Sequence, residues 1–215
     1  MTLYINIGWL NRKRILKLID LGVRHFMVVD RNTLLYLIRL KNKYNLDIIC
    51  DNGAFRGRVN LKLIQLAREY HVKYILPDSL EDSWNTIRLH LKYKDLYDPE
   101  LSYVVIQGKN ITDYLMCYFA MRKYFNIKRL AIGGLLLKQS KKEREEIVKR
   151  IRRLFNGKIH VLGYISKYAD TYDISLKMFG RYHGREGNIL EIIARLYHSI
   201  NNEKSLTISY FVGKH

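Results

Sequence analysis

Eight short apolar runs, separated by longer stretches of different periodicity, constrain the fold of this chain more than any other feature of its sequence. Each run is four or five residues long and rich in Ile, Val, Leu and Tyr, which is typical of parallel strands buried on both faces. We therefore predict eight β-strands. They span Leu3–Ile7, His25–Val29, Asp47–Asp51, Lys73–Leu76, Tyr103–Gln107, Arg129–Ile132, Lys158–Leu162 and Thr171–Ser175.

The stretches between these runs carry apolar residues at helical spacing, with charged residues between them. Asn60, Asn110 and Asn188 precede three of them, at positions where a side-chain oxygen can cap free backbone N–H groups. The segment 163–170, between the last two strands, leaves room for only a small helix. The predicted helices span Leu10–Leu21, Thr33–Tyr44, Leu61–Tyr70, Leu80–Tyr93, Ile111–Tyr124, Ser140–Leu154 and Ile189–Ile200.

Strands that alternate with helices form either a closed barrel or an open doubly wound sheet. Eight parallel strands close a barrel whose interior is filled by side chains. An open dinucleotide-binding sheet would usually carry a GxGxxG turn after its first strand, and the sequence there is Gly8-Trp9-Leu10-Asn11. Because the chain has 215 residues, two prolines and no Ser/Gly-rich linker, we predict one α/β domain, a (β/α)8 TIM barrel over residues 1–215.

The charge of the chain favours a polyanionic partner. Lys and Arg number 38 against 20 Asp and Glu, for a formal net charge of +18. A positive field of this size attracts nucleic acid, whose affinity for proteins depends largely on phosphate contacts by Lys and Arg. The alternative is a general bias of composition, since the basic residues are spread over the whole chain.

The cysteines and the apolar pattern narrow the class of protein further. Cys50 and Cys117 lie far apart and form no CxxC pair, which argues against a disulfide framework and against a cysteine zinc site. The sequence has no apolar run of membrane-spanning length and no signal-peptide pattern. We expect a cytoplasmic protein with no membrane partner, no metal and no cofactor.

Polar residues stand where the predicted strands end, and in a (β/α)8 barrel the carboxyl ends of the strands carry the chemistry. A single Asp at such a position is as often a helix cap as a catalytic group, and a Gly-Gly pair is often only a tight turn. Together, however, these residues would lie around one rim of the barrel. They are Asp51, Asp78, Gln107, Gly133, Gly134, Gly163 and Asp173, with Asp170 just before the last.

Two facing carboxylates are the groups that glycosidic-bond chemistry uses, one at the anomeric carbon and one for proton transfer. A carboxylate can accept two hydrogen bonds from the N1–H and exocyclic amine of guanine, and a glutamine both donates and accepts. Glycines let a ligand approach the bare backbone. The set therefore fits a purine attached to an anomeric carbon better than it fits a phosphate or a keto acid.

Five segments resemble, in order and spacing, the signature segments of the tRNA-guanine transglycosylase superfamily. They are DNGAF (residues 51–55), YVVIQGK (103–109), LAIGGLL (130–136), IHVLG (159–163) and DTYD (170–173). The resemblance extends from about Ile48 to Arg181. It implies a (β/α)8 barrel that exchanges guanine for another base on a nucleic acid.

The resemblance also implies a role for each matching residue. Asp173 would be the nucleophile that attacks C1′, and Asp51 the general acid and base. Asp78 would bind the Watson–Crick edge of guanine; of the three aspartates, it matches the family pattern least closely. The remaining positions would hold the base (Gln107 and the backbone of Gly133, Gly134 and Leu135), line the pocket floor (Gly163), or contact the nucleic-acid backbone (Arg181). Apart from the resemblance, the segment 179–187 mixes Arg181, His183 and Arg185 with Tyr182, a composition that suits phosphate and base contacts; a flexible βα loop is the alternative.

The chain departs from the tRNA enzymes of this family in several places. It lacks their clustered CxCxxC zinc ligands and the RNA-binding extensions of the archaeal members. Asn52 replaces a serine, and Gln139 stands where the family carries a glutamate that recognises the incoming base. These departures favour the DNA-modifying branch, which inserts 7-deazaguanine bases into DNA.

Other functions stay open at this point. The chain could act on tRNA, or be a non-catalytic relative that binds nucleic acid or a catalytic subunit. It could also be an unrelated barrel enzyme, such as a glycosidase or a phosphosugar enzyme. Members of the superfamily often dimerise, which leaves a homodimer open.

Overall fold

A computed structural model describes residues 1–8, 10–54, 59–138, 140–175 and 186–202. Eight parallel strands form a closed barrel in sequence order, with β1 beside β8. This confirms the predicted TIM barrel. The strands are β1 Thr2–Asn6, β2 His25–Val28, β3 Asp47–Cys50, β4 Lys73–Ile75, β5 Ser102–Ile106, β6 Arg129–Ile132, β7 Lys158–Val161 and β8 Thr171–Ser175.

Seven α-helices alternate with these strands in the described part of the chain. They are α1 Arg12–Asp20, α2 Arg31–Tyr44, α3 Leu61–Glu69, α4 Ser83–Lys92, α5 Ile111–Tyr124, α6 Lys141–Leu154 and α7 Glu186–Asn202. Two short 3-10 helices, Lys94–Leu96 and Leu135–Leu137, follow α4 and β6. Within the described ranges, none of the helices combines the length and the apolar character needed to cross a bilayer.

Two apolar cores hold the barrel together, because successive residues of a strand point to opposite faces. The larger core lies between the strands and the surrounding helices, and includes Leu3, Ile5 and Phe26. The smaller core fills the barrel interior. Its members are Tyr4, Met27, Ile49, Ile75, Tyr103, Val105 and Ala131.

The helix caps show where local sequence sets the boundaries. Asn60 and Asn110 cap α3 and α5 as predicted, with side chains that accept hydrogen bonds from Leu63 and Asp113 N–H groups. The prediction for Asn188 was wrong, because this residue lies inside α7, Glu186–Asn202, and does not precede it. No helix forms in the segment 163–170.

A polar network closes the amino-terminal end of the barrel. The Asp47 carboxylate accepts hydrogen bonds from Lys73 Nζ at 2.6 Å and from the Tyr4 hydroxyl at 2.7 Å. Burial raises the pKa of Asp47, but Lys73 and the hydrogen bonds outweigh it and the net shift is downward. A network at this end serves stability, since chemistry in this fold occurs at the carboxyl ends of the strands.

We expect Asp47→Asn to lower the free energy of unfolding by about 1–2 kcal/mol at pH 7, since Lys73 and Tyr4 lose a charged acceptor. The value is modest because the Asp47 side chain is 36% exposed, and water screens the pair. The control is Glu146→Gln, which breaks an exposed pair with Arg150 on α6 and should leave the urea midpoint nearly unchanged. Equal effects of the two substitutions would contradict a structural role for the network.

Candidate active site

Asp173 lies in the middle of β8, opposite Tyr4 of β1 in the sheet register. Adjacent strands in register present paired residues to the same face, so the Asp173 side chain enters the barrel interior with that of Tyr4. It is 4% exposed. Its Oδ1 accepts a hydrogen bond from the Gly163 N–H at 2.9 Å. Among the described residues no donor bonds Oδ2, which leaves that oxygen available to a ligand.

Asp51 follows β3 directly and belongs to the same electrostatic cluster. Burial, and next the negative charges of Asp173 and Asp78, raise the pKa of its carboxyl group to about 7. Hydrogen bonds from the backbone N–H groups of Gly53 and Asn52 act in the opposite direction. A carboxyl group of this pKa exchanges protons readily near neutral pH. The two acidic side chains expected from strands three and eight therefore share one electrostatic environment.

Asp78 follows β4 and is buried, and two carboxamides hold its carboxylate. The Asn52 Nδ2 group donates to Oδ1 and the Gln107 Nε2 group donates to Oδ2, each at 2.5 Å. Burial raises the pKa of Asp78 despite both bonds. The side chain is thereby fixed in one orientation at the rim of the barrel.

Gln107, after β5, lies against the bare backbone of the turn after β6. A Cβ added to Gly133 would meet the Gln107 Nε2 atom at 2.2 Å, and one added to Gly134 would meet its Oε1 atom at 2.6 Å. Gly134 also has a φ of 73°, where L side chains are strained. Both glycines thus permit Gln107 to reach Asp78.

Gly163 and Leu136 form another part of the rim. Gly163 has a φ of 71° and bonds Asp173 through its backbone N–H. A Cβ at Gly163 would lie 2.9 Å from a methyl group of Leu136. Leu135 is buried, whereas Leu136 is 41% exposed and offers an apolar surface beside the carboxylate.

Four functional candidates do not emerge from the strand-end pattern alone. Asn52 is one, because its donation to Asp78 depends on the tertiary structure. His160 is another; it lies inside the barrel with its Nε2 atom 3.4 Å from Asp173 Oδ1. Alternation along β7 could have indicated it, since His160 shares the inward face with Leu162.

Lys138 and Glu81 are the remaining two, and they link the loops after β6 and β4. The Lys138 Nζ atom bonds Glu81 Oε1 at 2.6 Å and the Lys109 carbonyl at 3.0 Å, and its side chain is almost fully buried. The Glu81 N–H donates to Gln107 Oε1 at 3.3 Å. This ion pair fixes the loops on both sides of Gln107. A lysine in a loop carries no sequence signal for such a contact.

Asp170 does not belong to the site, contrary to its placement beside Asp173 at the active rim. It precedes β8 at the opposite end, where its carboxylate bonds Arg152 and the Ile159 N–H. It lies three positions before Asp173, a spacing of about 10 Å along an extended chain that places the two side chains on opposite faces. Arg181 and Arg185, expected at the nucleic-acid backbone, lie outside the described residues, as do Phe55 and Gln139.

A separate cavity of about 660 Å³ opens at the amino-terminal end of the barrel. It is lined by Asp47 and Lys73, which pair with each other, and by His25, whose ring is hydrogen-bonded to Tyr197. Because its polar groups bond one another at the end of the barrel that serves stability, we do not regard it as the reaction site.

Comparison with known proteins adds no assignment. No protein-family model matches the sequence, and no curated protein matches it significantly. In the part of the chain that the structure describes, no three His, Cys, Asp or Glu side chains form a metal-binding group. The function is therefore argued from the site itself.

Proposed function

We propose that this chain is a transglycosylase that replaces guanine with a 7-deazaguanine base in nucleic acid, through a glycosyl intermediate on Asp173. The observation that carries the proposal is the acidic cluster at the carboxyl end of the barrel. There Asp51, Asp78 and Asp173 interact electrostatically, and each differs in its hydrogen-bonding partners. Different environments suit the carboxyl groups to different roles.

In the first half of the reaction, Asp173 Oδ2 attacks C1′ of the nucleotide and the bond from C1′ to the base nitrogen breaks. The departing guanine takes its proton from Asp51, whose pKa of about 7 keeps it partly protonated. The incoming base then loses a proton to the Asp51 carboxylate and attacks C1′, which releases Asp173. Retaining glycosidases use the same double-displacement mechanism, with a covalent glycosyl-enzyme intermediate.

Asp78 is the group we assign to the Watson–Crick edge of guanine. Each of its oxygens already accepts one bond, from Asn52 or Gln107, and each has a further lone pair for the N1–H or the exocyclic amine. A fixed pair of acceptors discriminates well, because a base that lacks these donors would leave buried acceptors unpaired. The exposed Leu136 gives the base an apolar neighbour.

Nucleic acid, and DNA in particular, is the proposed polymer, and the cytoplasm the proposed site of action. The net charge of +18 supports a polyanion. To reach the carboxylates, the target nucleotide would be flipped out of its stack into the barrel mouth, which costs about a few kcal/mol. The preference for DNA over tRNA rests on the lack of clustered CxCxxC zinc ligands in these 215 residues.

The test is exchange of radiolabelled guanine into duplex DNA, single-stranded DNA and unmodified tRNA, measured as label recovered with the polymer. We expect label in DNA, and we expect Asp78→Asn to lower its incorporation about 100-fold or more, because the amide presents one acceptor where two are needed. Asp95→Asn, at an exposed position after α4, is the matched control and should retain normal incorporation.

The other outcomes are informative. Label in tRNA alone would overturn the choice of DNA and retain the exchange chemistry. Binding of nucleic acid without any exchange, tested also with 7-deazaguanine bases as the incoming base, would refute the enzyme and favour an accessory protein. Equal activity of Asp78→Asn and wild type would refute the assignment of Asp78.

A further inference from the structure

His160 is a buried histidine inside the barrel, directly beneath the proposed nucleophile. It lies on β7 and is 0% exposed. Its Nε2 atom lies 3.4 Å from Asp173 Oδ1 and makes no hydrogen bond to any described residue, while its Nδ1 atom bonds Thr171 Oγ1 at 2.8 Å. A polar ring at a core position is costly unless its nitrogens are satisfied, so the contact with Asp173 needs an explanation.

We propose that His160 is a positioning residue that donates Nε2–H to Asp173 Oδ1 and so leaves Oδ2 as the attacking oxygen. This inference rests on the proposed function. With the Gly163 N–H, the imidazole supplies the second donor to the same oxygen. Two donors on Oδ1 would fix the rotation of the carboxylate and leave Oδ2 without a competing donor.

The Thr171 hydroxyl can either donate to Nδ1 or accept from it, so the negative charge of Asp173 selects the tautomer. When the hydroxyl donates, a neutral imidazole carries its proton on Nε2, facing the carboxylate. The opposite tautomer would direct a lone pair at the negative oxygen of Asp173, which is unfavourable in a buried site. Thr171 and Asp173 are two residues apart on β8, so one strand supplies both partners of the ring.

The surrounding rings hold the imidazole in this orientation. Tyr4 and Tyr103 contact it edge to face, with ring centroids 5.8 and 5.6 Å away. Both tyrosines belong to the interior core. A leucine could fill a similar volume, so packing alone does not require a histidine here.

The test compares three variants by steady-state exchange of labelled guanine. We expect His160→Leu to lower kcat about 10- to 100-fold with little change in KM, as for other residues that orient a reacting group. His160→Gln, whose side-chain amide can donate at a similar position, should recover part of the loss. The control is His90→Leu, which removes another buried histidine, bonded to the Val105 N–H outside the barrel interior, and should lower Tm without changing kcat of the folded protein.

A second measurement does not depend on activity. The ¹⁵N chemical shifts of His160, assigned by comparison with His160→Gln, should show the Nε2–H tautomer in wild type, and Thr171→Val should weaken that preference. An Nδ1–H tautomer in wild type would overturn the inference, as would an unchanged kcat in His160→Leu. If wild type exchanges no base, the proposed function fails, while the tautomer still decides whether His160 donates to Asp173.

Discussion

Asp173→Asn is expected to lower the rate of base exchange by about 10⁴-fold or more, because an amide is a very poor nucleophile toward C1′. The two side chains have nearly the same shape, and the amide oxygen can still accept from the Gly163 N–H. The fold and the binding of nucleic acid should therefore change little. The measurement is single-turnover release of labelled guanine from DNA, alongside a Kd at fixed salt concentration.

Two results would contradict this expectation in different ways. A normal exchange rate in Asp173→Asn would show that another group attacks C1′, or that the reaction has no covalent step. A loss of folding, detected as a lower Tm, would make the rate uninformative, and Asp173→Ser, with its smaller side chain, would then replace it.

Asp51→Asn is expected to slow the release of guanine about 10²- to 10⁴-fold and to change its pH dependence. In wild type the protonated form of Asp51 is the acid, and its pKa is about 7. The single-turnover rate should therefore fall about tenfold per pH unit above that value. The variant has no carboxyl group at this position, so its slower rate should not show this fall above pH 7. The same fall in the rate of the variant would exclude Asp51 as the acid.

The same substitution should stabilise the protein at high pH. The pKa of Asp51 is higher in the folded protein than in the unfolded chain, so the folded state favours the protonated carboxyl group. As pH rises from the unfolded-state pKa through about 7, ionisation of Asp51 therefore lowers the free energy of unfolding of wild type. An asparagine stays neutral throughout. We expect the unfolding free energy of Asp51→Asn to exceed that of wild type by up to about 4 kcal/mol at pH 8 and to match it near pH 4, since the pKa rises from 3.8 to about 7 and each pKa unit corresponds to about 1.4 kcal/mol. Equal stability of the variant and wild type at both pH values would contradict the raised pKa of Asp51 in the acidic cluster.

The fold could be predicted from sequence because one periodicity determines most of it. Each strand differs from its predicted bounds by at most one residue, as β3 shows, which ends at Cys50 where Asp51 was expected. Helix starts were less certain: α4 begins at Ser83, because Asp82 caps it through a bond to the Asn85 N–H. Apolar spacing identifies a helix, but capping residues decide where it begins.

The candidate site could be predicted in part, because the carboxyl ends of barrel strands converge wherever the barrel closes. That rule brought Asp51, Asp78 and Asp173 together. It could not indicate that Asn52 and Gln107 hold Asp78, since such bonds depend on loop geometry. It also misplaced Asp170, whose odd spacing from Asp173 turns it to the other face of β8.

The most direct test of the account is whether a covalent bond forms between Asp173 and the nucleic acid. The protein would be incubated with a guanine-containing DNA oligonucleotide without an incoming base, denatured, digested with protease and analysed by mass spectrometry. We predict a glycosyl adduct on the peptide that contains Asp173 in wild type, and none in Asp173→Asn. Guanine exchange without an adduct, or an adduct on a different residue, would contradict the account.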